Sequence, residues 1–237
     1  MLFRSSLPVT VNLDRLEGFN GAVDVRLEGL PEGITATPTR IGPDMFNAVL
    51  TLTAAENAGP GEPGASTGEP GASDPGSGAG DTAKPASVPL TFKVIGSASI
   101  GEKIVEHATT PGFGLHQATV TSPPDLGVAV EPLVASIVPG QELKFTVAIE
   151  RRNTFAGRVP VDVLNLPHGL RVLDVGLNGV LINETETSRS FVVACDPWCE
   201  PGAVLFYAAP KVEAKNERHA SPPIRLEVQR PAAVAGN

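Results

Sequence analysis

Apolar and small or polar residues alternate through Val9-Thr-Val-Asn-Leu13 and again through Phe145-Thr-Val-Ala-Ile149. A period of two puts one face of an extended strand in a core and the other in solvent. Val23, Val25 and Leu27 alternate in the same way, as do Val159, Val161 and Val163, and so does the run from Ala48 to Thr53. Further strands are predicted over 88–95, through Ile104 and Val105, over 126–130 with a continuation to Val138, and over 170–175, 179–182, 190–194, 203–208 and 224–228. No long stretch shows an apolar period near 3.6. The 23 prolines and 25 glycines mark many turns between short strands. The pattern predicts an all-β chain built from two tandem β-sandwiches.

Two of these strand pairs share one sequence pattern. Arg15, Phe19 and Gly21 recur as Arg151, Phe155 and Gly157, and Leu30, Pro31 and Gly33 recur as Leu166, Pro167 and Gly169. The offset is 136 residues throughout. A repeat of this length is a duplicated domain rather than a solenoid of small units. Each copy reads strand, R-x-x-x-F-x-G, strand, L-P-x-G, strand. The Phe is expected to plug the end of the core, and the following glycine to permit a tight, left-handed backbone. In L-P-x-G the proline suits the second position of a β-turn and the glycine the fourth. Arg15, Phe19, Gly21, Pro31, Gly33 and their five counterparts are assigned to fold maintenance, with Arg15 and Arg151 read as solvated or ion-paired charges at strand ends.

This order of elements resembles the bacterial immunoglobulin-like modules of large exported proteins. Many of those come from planctomycete-type bacteria, where the modules stand in tandem near pre-peptidase C-terminal domains. It is similar, more loosely, to sandwich modules appended to some glycosidases. The resemblance covers most of both halves and speaks to fold more than to activity. It implies a non-catalytic structural or adhesion module of a larger secreted or cell-surface protein. Its partners would be other domains of the parent chain or other surface proteins. The second reading is a carbohydrate-binding accessory module of an exported hydrolase or protease, with polysaccharide as the ligand.

The first Ig-like sandwich is expected over 1–111 and the second over 116–230, with a frayed tail at 231–237. Within the first, 57–87 is rich in Gly, Pro and Ser and repeats Gly-Glu-Pro-Gly-Ala-Ser. Such a segment has little to bury and is expected to be a disordered, dispensable insertion between two strands. Gly64-Ala-Ser66-Thr-Gly68 inside it matches G-x-S-x-G but lacks the strand and helix that a nucleophile elbow needs. The residues before the first strand are too few for a signal peptide, so the exported setting leads us to expect a truncated chain. The offset gives a related expectation. The strand at 126–130 has no counterpart before Val9, so the first sandwich should lack its N-terminal strand and leave an edge open beside Val9 to Leu13. Ala118 to Thr121 could fold back to fill it.

Composition narrows the function classes. The formal net charge of −8 speaks against a nucleic-acid partner. No apolar run approaches the ~20 residues that span a membrane, so no membrane insertion is expected. Hydrophobic residues make up 41% of the chain and aromatics 5%, which predicts aliphatic cores. No paired carboxylates, Ser/His/Asp set or phosphate loop occurs in a credible context, and neither a catalytic role nor a cofactor is expected. Cys195 and Cys199, in C-D-P-W-C, are the two cysteines. Three readings stand: a local disulfide, which export favours; two free thiols; and half of a metal site that would need two further ligands. Trp198 lies in the same turn. Exposed, it would make a sugar-binding platform; otherwise it packs over the Cys195–Cys199 loop.

Overall fold

The computed structural model describes residues 6–55, 90–109, 117–118, 125–173, 179–211 and 219–230. The expected insertion at 57–87 and tail at 231–237 lie outside them. The first half forms β1 (Ser6–Asn12), β2 (Val23–Glu28), β3 (Ile34–Thr37), β4 (Thr39–Ile41), β5 (Asn47–Ala54), β6 (Leu90–Thr91), β7 (Lys93–Ile100) and β8 (Lys103–Ala108). After β9 (Gln117–Ala118) come β10 (Leu126–Glu131), β11 (Val134–Ile137), β12 (Glu142–Arg151), β13 (Val159–Leu164) and β14 (Leu170–Leu173). The chain closes with β15 (Val180–Ile182), β16 (Ser188–Cys195), β17 (Gly202–Pro210) and β18 (Ile224–Val228).

These strands make two tandem Ig-like sandwiches. In the first, the sheet β1-β5-β3 faces the sheet β4-β2-β7-β8. In the second, β10-β12-β16-β14 faces β11-β18-β17-β13-β15. The first core is mainly aliphatic, centred on Ile41 and Leu50, with Phe92 also buried in it. The second adds aromatics: Phe145 stacks on Phe191 with ring centroids 5.6 Å apart and meets Phe206 edge-on at 5.2 Å. The predicted strand at 88–95 differs from the one formed. It breaks at the buried Phe92, and the long strand β7 runs on to Ile100 before Gly101 turns it into β8. Weak alternation in Ser97-Ala-Ser-Ile100 hid this from the sequence pattern.

The facing sheets of the two sandwiches correspond strand for strand, except that the second carries β10 and β11 in addition. β10 lies antiparallel beside β12, and β11 lies parallel beside β18. Among the described residues the first sandwich has no equivalent of either, as the repeat offset led us to expect. Gln117 and Ala118 do not fill the gap at β1; they pair with β6.

The repeated motif acts differently from its sequence reading. Arg15 is half-buried, and among the described residues no carboxylate pairs with it. Its guanidinium donates to the carbonyls of Met45 (3.1 Å), Gly21 (2.7 Å) and Gly42 (2.6 Å). Arg151 does the same to the carbonyls of Glu186, Gly157 (3.3 Å) and Asn183 (2.7 Å). In each copy two of those acceptors are the ends of one β-turn, closed by Met45 N–H to Gly42 O or by Glu186 N–H to Asn183 O. The third belongs to the loop holding the Phe. One planar fork thus ties the turn before β5 or β16 to the loop after β1 or β12, and satisfies carbonyls that no strand partner reaches.

The glycines also serve ends other than those expected. Gly21 and Gly157 have no left-handed backbone; a Cβ on Gly21 would sit 2.7 Å from the Phe19 ring, and one on Gly157 3.0 Å from the Phe155 ring. The far edge of the ring fills the space a Cβ would need, which is why the position carries glycine. The left-handed residues come earlier, at Glu17–Gly18 and Asn153–Thr154. In L-P-x-G the hydrogen bond runs from Ile34 N–H to Pro31 O and from Leu170 N–H to Pro167 O. Proline is therefore the first turn residue and glycine the third, with φ of +80° at Gly33 and +88° at Gly169.

Replacing Arg15 by Ala should destabilise the first sandwich by on the order of 3 kcal/mol, because three partly buried carbonyls lose a charged donor. Arg15→Lys should recover little of this, since an ammonium cannot reach three carbonyls in one plane. Denaturant melts of the two variants check it; a lysine variant as stable as the parent would show that charge alone suffices.

Candidate functional site

Two regions gather the side chains that could act on other molecules. The first is the C-D-P-W-C turn at the end of β16. Its ends are fixed by the backbone: Cys199 N–H donates to Asp196 O (3.0 Å) and Asp196 N–H to Gly169 O (2.7 Å). The turn thereby docks on L-P-x-G, so closely that a Cβ on Gly169 would lie 2.9 Å from Cys199 Cβ. Cys195 and Cys199 both enter the hydrophobic core as free thiols; Cys195 Sγ donates to Asp196 O (3.8 Å) and Cys199 Sγ lies within reach of His168 O (3.8 Å) and Glu200 O (3.9 Å). Burial foremost, then the Cys195 thiol and the charges of Asp196 and Glu200, push the Cys199 pKa up to about 11. Among the described residues no three His, Cys, Asp or Glu side chains gather as a metal site. Trp198 points outward and is 64% exposed, so it does not pack over the loop.

The second region is the joint between the sandwiches. Asn165 has a left-handed backbone, φ +69°, and stands where the first copy has Gly29, φ +82°. Left-handed geometry favours these two residue types. The difference between them matters. The Asn165 amide accepts from Val49 N–H (2.7 Å) and donates to Val49 O and to Thr39 Oγ1 (3.3 Å). Val49 lies on β5 beyond the reach of β3, whose pairing stops at Thr37 opposite Thr51. One side-chain amide from the second sandwich therefore takes the place of a missing strand neighbour in the first.

Tyr207 on β17 reinforces the joint. It is fully buried, as is Thr51 on β5, and it clusters with Ala209, Ala220 and Leu164. Burial raises the phenol pKa, and the nearby Thr51 and Thr37 hydroxyls temper that rise. Neither the Tyr207 hydroxyl nor Thr51 Oγ1 reaches full hydrogen-bond geometry. Ser6 and Ala220 complete the contact with a reciprocal backbone pair at 3.2 and 2.8 Å. Beside the joint a mainly apolar groove of about 430 Å³ runs between Pro38, Met45, Pro167 and Val204, with the Arg40–Asp24 ion pair (3.7 Å) at its side.

Sequence reasoning brought the pair Cys195 and Cys199 to notice apart from Gly169; the structure sets Gly169 against Cys199. It missed Asn165 and the anchoring role of Tyr207. The signal for Asn165 was available, because it is a glycine-to-amide change between copies at a turn that needs positive φ.

The thiol environment sets a pH dependence. A pKa raised in the folded state means that the unfolded chain loses the proton first as pH rises. Stability from this group is therefore intact below about pH 8.5 and falls as pH climbs towards 11. Unfolding curves of reduced protein between pH 8 and 11 should show the decline, and Cys199→Ala should lessen it. An unchanged slope in the variant would remove Cys199 as its cause.

No family model matches the chain, and no curated protein matches it. Among solved structures it is similar to the crystal structure of domains 4 and 5 of the S-layer protein SbsC, at 15% identity and a TM-score of 0.31, over 59% of this chain and 66% of that one. It is similar also to domains 1–6 of surface layer protein SbsC, at 15% identity and a TM-score of 0.33, over 93% of this chain and 22% of that one. The chain thus spans less than two thirds of either structure. At TM-scores near 0.3 the likeness transfers neither a role nor a family.

Proposed function

We propose that the chain is a non-catalytic structural module, a rigid pair of Ig-like sandwiches that spaces or presents other parts of a secreted or cell-surface protein. The supporting observation is the joint. Domains within one chain ordinarily move against each other unless their contact is extensive and apolar. Here a fully buried tyrosine, an amide clasp on β5 and a strand-like backbone pair fix one sandwich on the other. Such a joint makes two domains into one stiff body, which is what a spacer requires. Its partners are other domains of the parent chain or other surface proteins. A carbohydrate-binding role is the second reading, favoured by the exposure of Trp198; a glycan array on which the parent protein and Trp198→Ala give the same result would end it.

The rigid-body reading has a direct test. NMR relaxation should give both sandwiches one rotational correlation time. Asn165→Gly copies the turn chemistry of the first repeat and removes the clasp; with Tyr207→Ala it should let the two tumble separately while each keeps its own dispersed spectrum. The clasp is worth about 1–3 kcal/mol as a set of hydrogen bonds whose loss leaves buried groups unpaired. Independent tumbling of the parent protein would contradict the proposal.

A further inference from the structure

We propose that the outer edge of β1 accepts a strand from another polypeptide. That strand is an extended segment with apolar side chains at alternate positions, running antiparallel to β1 opposite Thr10 to Arg15. The second sandwich supplies the template. There β10 pairs with β12 from Glu131 opposite Thr146 to Leu126 opposite Arg151. The 136-residue offset carries those positions to Thr10 and Arg15.

Three differences between the copies locate the vacancy. The first is burial. Phe145, Val147 and Ile149 are at most 3% exposed, whereas their counterparts Val9, Val11 and Leu13 are partly buried. The second is strand length. β12 continues to Arg151, but β1 stops at Asn12, short of the counterpart Arg15. The third is backbone direction. Leu13 N–H bonds to Phe46 O across β5, and Ser6 N–H bonds outward to Ala220 O. Alternation along a strand then turns the odd-numbered groups of β1 inward to β5 and the even-numbered ones outward. Thr10 and Asn12 present their N–H and C=O to the outer edge, where no described residue pairs with them.

The slot also has a defined end. Pro8 is outward by the same alternation and has no N–H, and Ser6 beyond it is already paired with Ala220. In the second sandwich β10 stops at the counterpart of Thr10, so an incoming strand and Ala220 would not compete. The edge is thus continuous with the joint between domains, where β1 already accepts an antiparallel partner. No lysine stands on β1 to repel one. The occupant's chemistry follows from β10, where Leu126, Val128 and Val130 are each 1% exposed. Main-chain bonds would hold such a strand, and its alternate apolar side chains would complete the core. A longer donor could bend from β1 towards β8 as β10 continues into β11. The outer edge of β8 has no partner among the described residues, and its Ile104 and Val105 are exposed. Strand acceptance would hold whether the joint is rigid or loose.

The probe is a synthetic peptide with the sequence of Asp125 to Ile137, titrated into the whole chain. Saturable one-to-one binding is expected, with amide shifts centred on Thr10 and Asn12 and a rise in the melting temperature. A peptide carrying Val128→Asp and Val130→Asp should not bind. Thr10→Pro in the protein removes an outward N–H and leaves the bonds to β5 in place; it should weaken binding by about tenfold or more while melting is preserved. No binding, equal binding of the substituted peptide, or shifts confined to other strands would overturn the proposal. So would a dimer of the chain paired through its β1 edges that excludes the peptide.

Discussion

A sandwich end must dispose of carbonyls that no strand partner reaches, and in this chain one arginine does so in each copy. Arg15 and Arg151 each bind three backbone oxygens, two from a turn and one from the loop that follows β1 or β12. The rest of the motif follows from that fork. The Phe ring lies over the loop, with the Arg15 guanidinium carbon 5.9 Å from the Phe19 centroid. The glycine two residues on has no Cβ because the ring occupies its place. A left-handed pair at Glu17–Gly18 or Asn153–Thr154 folds the intervening turn so that the arginine reaches inward. R-x-x-x-F-x-G is therefore one object, a loop held down at both ends of its span.

With that object constant, the two copies have diverged at their margins. The second has a closed edge, an aromatic core and a turn that carries Asn165 in place of Gly29. The first has an outer β1 edge with no strand partner among the described residues, a mainly aliphatic core and a β5 that takes the Asn165 amide. The duplication thus yields complementary rather than equivalent domains: one supplies the clasp and the other receives it. The C-D-P-W-C turn makes the same point at another place. It docks on Gly169 of the second copy's L-P-x-G turn, sealing two thiols inside and leaving Trp198 outside.

Much of the fold was legible because its signals are local. Period-two alternation marked most strands, and the fixed offset marked the duplication and the absent first strand. What escaped depended on distant partners. Nothing near Arg15 in the sequence names Gly42 or Met45 as acceptors, so a half-buried carbonyl clamp read as a strand-end charge. Turn residues indicated a turn at L-P-x-G, but the position of its hydrogen bond, and so the reason for glycine, needed coordinates. Tyr207 looked like any strand residue, because the Thr51 and Thr37 hydroxyls beside its phenol belong to the other domain. Trp198 and the cysteines were visible as candidates, while which of them faces the core was a matter of docking on Gly169.

The central claim is that the same clamped sandwich occurs once closed and once open, and amide hydrogen exchange reads it residue by residue. Thr146 and Ala148, whose N–H groups face β10, should exchange slowly, and Thr10 and Asn12 at the same positions of the first copy should exchange fast. The inward-facing Val9 and Val11 should be protected as Phe145 and Val147 are. Slow exchange at Thr10 and Asn12 in the isolated chain would contradict the account, because it would show that the edge of β1 is already filled.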